Sequence, residues 1–302
     1  MLHPQAEAAL AQWRSGPSVT DAGFDAEGIA AMRRDARAEA AAEPAESVAR
    51  VEDVDAGGVP ARLYRHVAGE HTGVLVFLHG GGFVFGDVDT HDAQSRRLAN
   101  RTGFAVLAVD YRRPPEHRFP AAPDDVDRAL AWLLEHAGDL ELDARRVVAL
   151  GDSAGGNLAL VAALRNPDRL AATVLVYPFI DPRTRFDSYR SEDPYALSTA
   201  ESRWFWEQYA DPADLVDPGP DLCPLDSPRL GALPPTLVLV AEHDVLRDED
   251  EELARRIQAA GATAEVTSYP GMIHGFWRHP RLFDAAEESF ARTATFLRDH
   301  VG

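Results

Sequence analysis

The stretch VVALGDSAGGNLALVAAL, residues 147–164, changes character at its middle. A short, wholly apolar run leads into Gly-Asp-Ser-Ala-Gly-Gly, and an alanine- and leucine-rich segment follows at once. An apolar run of this length bounded by glycine reads as a strand buried on both faces, and the segment after it reads as a helix. Gly151-Asp152-Ser153-Ala154-Gly155 therefore fits the G-x-S-x-G pattern in the strand–turn–helix setting that gives the pattern meaning. The spacing has a steric cause. A serine held on so sharp a turn projects its hydroxyl above the sheet only if the residues two before and two after it are small. Gly151 and Gly155 meet that need. The following helix then aims its N-terminal amides and dipole at any oxyanion formed beside Ser153. A dinucleotide-binding turn is the rival for such a joint, but G-x-G-x-x-G is not present in it.

Similar apolar runs recur on either side of this joint. VLVFLH (74–79), FAVLAVDY (104–111), ATVLVYP (172–178), TLVLVAEHD (236–244) and AEVTSYP (264–270) alternate with helical patterns near 89–101, 121–137, 154–165, 247–260 and 281–299. Buried strands alternating with helices predict an α/β fold around a mostly parallel sheet. SVARVEDVDA and VPARLYRHV flank Gly57-Gly58 as a hairpin, which predicts an antiparallel edge and brings the strands to eight. Residues 1–45 read as helical, with Asp25 capping the second helix and Glu43-Pro44 ending it. From Pro182 to about Asp217 the alternation breaks, and the aromatic helix AESRWFWEQYA stands between two sheet strands. The expected division is an N-terminal part of a helical cap at 1–45, core at 46–181, an inserted cap segment at 182–217, and core again at 218–302.

Composition excludes several chemistries. All 30 basic residues are arginine, so Schiff-base and pyridoxal chemistry, a Walker lysine, a kinase lysine and a Ser-x-x-Lys nucleophile are absent. The single cysteine, Cys223, forbids an internal disulfide and a cysteine zinc cluster. A net charge of −19 disfavours nucleic acid and anionic membrane surfaces as partners, and it reads first as a solubility device, with a high-salt habitat as the sharper alternative. The N-terminal stretch MLHPQAEAALAQW has neither a basic start nor a long apolar run, and no segment reaches the length of a membrane span. The expected location is cytoplasmic.

A serine hydroxyl needs a base, and the base needs an orienting acid. After an elbow serine the chain order is acid, then histidine, each in a loop after a later strand. TLVLVAEHD ends in Asp244; Glu242 is the weaker candidate because it precedes the strand's exit, and Asp248, Glu249 and Asp250 read as helix N-terminal charges. SYPGMIHGFWRHP places His274 between the last strand and the last helix, with His279 as a surface residue before Pro280. HGGGF (79–83), directly after VLVFL, brings bare backbone toward a ligand. Gly81 and Gly82 are the expected oxyanion donors with Ala154 as the third, and His79 reads as a brace for the loop. A phosphate cradle is the alternative for any glycine run, but no Gly-Lys-Ser/Thr accompanies this one. Phe83, Phe85, Trp204 and Phe205 are the candidate pocket aromatics.

With HGGGF, GDSAGGN, EHD and HGF in this order, nearly the whole chain resembles the hormone-sensitive-lipase-like esterases, the family IV bacterial carboxylesterases of the α/β-hydrolase superfamily. DYRRPPEHRFPAAPDD (110–125) also looks like a family segment, departing from it around Arg113-Pro114 where Leu-Ala is usual. The resemblance implies Ser153, Asp244 and His274 as triad, Gly81, Gly82 and Ala154 as oxyanion hole, and a helical cap completed by the inserted segment. It also implies small-molecule esters of short to medium acyl chains as substrates, no metal or organic cofactor, and members that often pair as homodimers. An amide or arylformamide hydrolase would use the same machinery. A non-catalytic receptor on this scaffold would be expected to lose the base, which His274 supplies.

Overall fold

The computed structural model describes residues 1–13, 18–67, 72–193 and 195–302. Its centre is an eight-stranded sheet built from β1 (Arg50–Asp55), β2 (Pro60–Arg65), β3 (Thr72–Leu78), β4 (Ala105–Val109), β5 (Leu142–Asp152), β6 (Ala172–Val176), β7 (Thr236–His243) and β8 (Ala264–Ile273). The spatial order is β1-β2-β4-β3-β5-β6-β7-β8. β1 and β2 form the expected hairpin and lie antiparallel, β2 joins β4 antiparallel, and every later pairing is parallel.

The strand residues divide by period two, as a sheet covered on both faces requires. Val74, Val76 and Leu78 of β3 join a core with α4 (Ala121–His136), α5 (Ala154–Arg165) and α9 (Arg247–Ala259). Leu75 and Phe77 turn the other way, toward α3 (Asp92–Thr102) and α10 (Asp284–His300). Full burial of a side chain such as Phe77 or Leu253 contributes on the order of 1.5–3 kcal/mol, and these layers hold dozens of such groups. From β3 the chain moves outward to β4 and then returns past β3 to β5. That reversal opens a crevice at the carboxyl ends of β3 and β5, the usual ligand position in an open α/β sheet.

The flanking helices are held by different means. α1 (Pro4–Trp13) buries Ala6, Ala9 and Leu10 in the same core as α10, and the His3 amide donates to the Gly271 carbonyl of β8 at 3.0 Å. α2 (Ala26–Ala42) starts as expected, its cap Asp25 accepting from the Glu27 and Gly28 amides. Its one buried residue is Ile29, so polar anchors do more for it: Arg33 Nη2 donates to the Val84 carbonyl at 2.8 Å and to the Pro114 carbonyl at 2.6 Å. Between β6 and β7 lie α6 (Ser188–Ser191), α7 (Thr199–Tyr209) and α8 (Pro212–Val216). A capping box between Ser198 and Glu201 starts α7. Its Trp206 and Tyr209 are buried, the Tyr209 ring stacking on Phe83 at 3.7 Å between centroids and Trp206 packing on Phe179 at 4.5 Å. Among the described residues, no helix is long and apolar enough to cross a membrane.

Candidate active site

Ser153 stands between the end of β5 and the first residue of α5, with φ 54° and ψ −119°. A non-glycine residue is strained in this region of backbone space, and the surroundings hold it there. The Ser153 amide donates to the Val176 carbonyl at 2.9 Å, while the Ser153 carbonyl accepts from Asn157 and Phe179, each at 3.1 Å. The small flanking residues are a steric necessity. A Cβ on Gly155 would collide with the Leu78 carbonyl of β3, and one on Gly151 would collide with the Gly155 carbonyl.

The other two groups arrive from the carboxyl ends of β7 and β8 in the same sheet. Asp244 follows β7 and is 2 % exposed; its Oδ1 accepts from the Leu246 amide at 3.0 Å. Its Oδ2 lies 2.7 Å from His274 Nδ1. His274 follows β8, and its Nε2 lies 3.0 Å from Ser153 Oγ. With a carboxylate as acceptor, Nδ1 carries the ring proton, and Nε2 is left to accept the serine hydroxyl. Glu242 is engaged elsewhere, accepting the Gly271 amide at 2.6 Å and so shaping β8. The structure thus brings Ser153, Asp244 and His274 into one hydrogen-bonded chain and leaves Glu242 outside it.

The HGGGF loop crosses the mouth of the crevice. Gly81 adopts φ 114°, its carbonyl accepts from the Val84 and Phe85 amides, and Gly81 and Gly82 line the same cavity as Ser153. A Cβ on Gly82 would strike the Phe205 ring of α7. The Gly80 amide donates to Asp152 Oδ1 at 2.9 Å, which ties this loop to the serine turn. Ala154, the third expected donor, opens α5 with its side chain buried. His79 is a buried brace: its Nδ1 faces the Gly80 carbonyl at 2.9 Å and its ring stacks on Tyr111 at 4.2 Å. Burial and the nearby Arg113 guanidinium push its pKa down to about 3, so the ring is neutral. Burial also pushes the Asp152 carboxyl up from its ordinary value, against the opposing field of Arg278.

The cavity above Ser153 has a volume of about 260 Å³. Phe205, Leu197 and Phe179 give it apolar wall, and Trp13, Tyr177 and Arg278 close the other parts. Of the four aromatics expected there, Phe205 alone is on the wall. Phe83 is fully buried beneath the loop against Tyr209, because its positive φ of 65° turns it into the core. Phe85 and Trp204 stack on each other at 6.3 Å, and Trp204 packs edge-on against Phe24 at 5.6 Å, so these two rings join α7 to the N-terminal segment instead of facing Ser153. His279 departs from expectation in the opposite sense. It is half-buried, lines the cavity beside Trp13, and has its pKa pushed down to about 4 by burial and by Arg278.

The acids expected as N-terminal charges do stand in the first turn of α9, but two of them are buried. Glu249 is wholly buried, taking the Ile180 amide at 2.9 Å and the Tyr189 hydroxyl at 3.0 Å. Asp250 is wholly buried too, and among the described residues neither of its carboxyl oxygens has a hydrogen-bond partner. Asp152, Tyr177, Glu201 and Arg278 were not singled out as site residues in the sequence. Asp152 is the variable position of the elbow itself, and Arg278 lies one helical turn beyond His274, so proximity to a motif is the signal that points to both. Among the described residues, no group of three or more His, Cys, Asp or Glu side chains is placed to hold a metal ion.

Residues 75–278 match a family model described as the alpha/beta hydrolase fold. Over 261 residues the chain is 37% identical to an ethyl acetate hydrolase of Pseudomonas putida, covering 82% of this chain and 80% of that one. It superposes with a TM-score of 0.86 on an esterase of Pyrobaculum calidifontis, 33% identical, over 99% of both chains. An ester hydrolase from the metagenome of Lake Arreo, solved in complex with a derivative of bipyridine phosphonate, gives a TM-score of 0.91 at 34% identity over 100% of both chains.

Proposed function

Since the chain belongs to the hormone-sensitive-lipase-like carboxylesterases of the α/β-hydrolase fold and is a carboxylic ester hydrolase, we propose that it cleaves small esters of short to medium acyl chains through an acyl-enzyme on Ser153. The unbroken hydrogen-bonded chain from Asp244 through His274 to Ser153, opening on a cavity, carries this reading.

Ser153 Oγ attacks the ester carbonyl as His274 Nε2 takes its proton. Asp244 holds the imidazole in the right tautomer and stabilises the imidazolium that forms. The carbonyl oxygen becomes an oxyanion facing the amides of Gly81, Gly82 and Ala154, each worth roughly 3 kcal/mol of barrier lowering by analogy with other serine hydrolases. The imidazolium returns its proton to the departing alkoxide, so the alcohol leaves neutral. Water then enters, gives a proton to His274 and attacks the acyl carbon, and the carboxylic acid leaves as Ser153 recovers its hydrogen. The small volume between Phe205, Leu197 and Phe179 suits short acyl groups.

The test is a series of p-nitrophenyl esters from acetate upward, with labelling by a small organophosphorus ester. The expected result is fastest turnover among the short members and phosphorylation of Ser153. Label on another residue, or on none, would overturn the mechanism.

A further inference from the structure

Arg278 lines the cavity that contains Ser153. Among the described residues it forms no ion pair, and its Nε is buried without a hydrogen-bond partner. Arg146 likewise has a buried Nε without a partner, but it does not line this cavity. Arg165, for comparison, is paired with Asp124, Asp127 and Asp221. Arg278 is half-buried, and an Nε that has lost water without gaining an acceptor is costly unless something else completes it.

The neighbouring groups do not complete it. Asp152 is buried nearby, and its carboxylate already accepts the Gly80 amide. Glu201, on the cavity wall, spends Oε2 on the Ser198 amide at 2.8 Å and hydroxyl at 2.7 Å, and its Oε1 faces Ser18 Oγ at 3.3 Å. His279 is neutral, because burial and the guanidinium itself depress its pKa to about 4. The backbone at Arg278 is also held in place. It ends the short turn Phe276–Arg278, and its carbonyl accepts from Gln94 Nε2 of α3 at 2.6 Å. A guanidinium on the wall of the cavity that contains Ser153 offers the planar donor fork that recognises a carboxylate.

We propose that Arg278 selects esters that carry a second group, an ionised carboxylate, within a few bonds of the scissile ester. Two kinds of molecule present this chemistry: the half-ester of a short dicarboxylic acid, with the charge on the acyl side, and an acylated short hydroxy acid, with the charge on the alcohol side. The proposal rests on the esterase reading and names the substrate class for that same site. The chain's net charge of −19 repels such anions at a distance. That repulsion is screened beyond about 8 Å at physiological salt, so the local cation decides binding.

The experiment compares matched neutral and anionic esters at pH 7. Monoethyl succinate against ethyl butanoate puts the charge on the acyl side; 2-acetoxypropanoate against isopropyl acetate puts it on the alcohol side. The wild-type chain is compared with Arg278→Met and Arg278→Lys, each first checked for an unchanged thermal unfolding midpoint. The expected result is a wild-type preference of about tenfold or more in kcat/KM for the anionic member of one pair. Arg278→Met should erase that preference chiefly through KM, and Arg278→Lys should keep part of it. The pair that responds identifies which half of the substrate bears the charge. If the wild type turns over both members of each pair equally, the proposal fails while the esterase reading stands. It fails in the same way if Arg278→Met lowers both members alike in kcat, which would make Arg278 a counter-charge for Asp152. If no ester of either kind is turned over, the esterase reading falls as well.

Discussion

Single side chains carry the sharpest expectations. Ser153→Ala should lower kcat by about 10⁶-fold, with the thermal unfolding midpoint little changed, because the hydroxyl contributes to chemistry and not to packing. Asp244→Asn should cost on the order of 10⁴ in kcat by stabilising the wrong imidazole tautomer, whereas a change at Glu242 should act through β8. Steady-state assays with p-nitrophenyl acetate read both. Asp250 leads to an expectation about pH. Burial, with Glu249, Asp244 and Glu251 nearby, raises its carboxyl well above its ordinary range. A raised acid keeps its proton in the folded chain, while the unfolded chain releases it above about pH 4. Stability therefore falls as pH climbs from there toward the folded-state value. Asp250→Asn should flatten that fall by up to about 1.4 kcal/mol per pH unit in urea unfolding at pH 5 and pH 8, leaving the part due to Glu249. An unchanged slope would mean that the carboxyl is ionised in the folded chain. The hydrogen-bonded trio Ser153, His274 and Asp244 was legible in the sequence because each occupies a stated place, a tight turn or a loop after a strand. Asp250 and Arg278 were not, because their significance comes from what surrounds them in space. In sequence alone, an acid at the start of a helix looks like an ordinary dipole partner.

At the scale of elements, every strand of the sheet and the helices beside it could be read from period and apolar run length. The inserted segment was the weak point. AESRWFWEQYA announces an aromatic helix, but its eleven residues do not say which ring faces what, and the outcome was mixed. Trp206 and Tyr209 went to the core, Trp204 went to the N-terminal segment, and Phe205 went to the cavity. Contact between α7 and the glycine loop yields a test. Gly82→Ala drives a methyl into the Phe205 ring and should lower kcat/KM by about 10²-fold, the scale of a displaced oxyanion donor. Adding Phe205→Ala should recover about tenfold of that loss if the collision is the cause. No recovery would place the damage in the backbone of Gly82, which has a φ of 59°. At the start of the same helix, Ser198→Ala removes the acceptor for the Glu201 amide and should cost roughly 1 kcal/mol in urea unfolding.

Taken whole, the molecule is an acidic shell around an apolar sheet, with its arginines spent largely on ion pairs at the surface. Clusters such as Arg183 and Arg256 converging on Asp226 are local, whereas the excess of negative charge is spread over the chain. Salt screens both, and the uncompensated excess of −19 should dominate. The thermal unfolding midpoint should rise when sodium chloride is increased from low to moderate concentration, and a fall would show that the ion-pair clusters outweigh the general repulsion. The order of the strands has one more consequence. Ser153 and the HGGGF loop are both made before residue 155, while Asp244 and His274 stand at the ends of the last two strands. A growing polypeptide thus finishes its proposed nucleophile long before the groups proposed to deprotonate it. On the proposed mechanism the serine stays an ordinary alcohol until β7 and β8 zip onto the sheet, so an incomplete chain would carry the hydroxyl without the means to activate it.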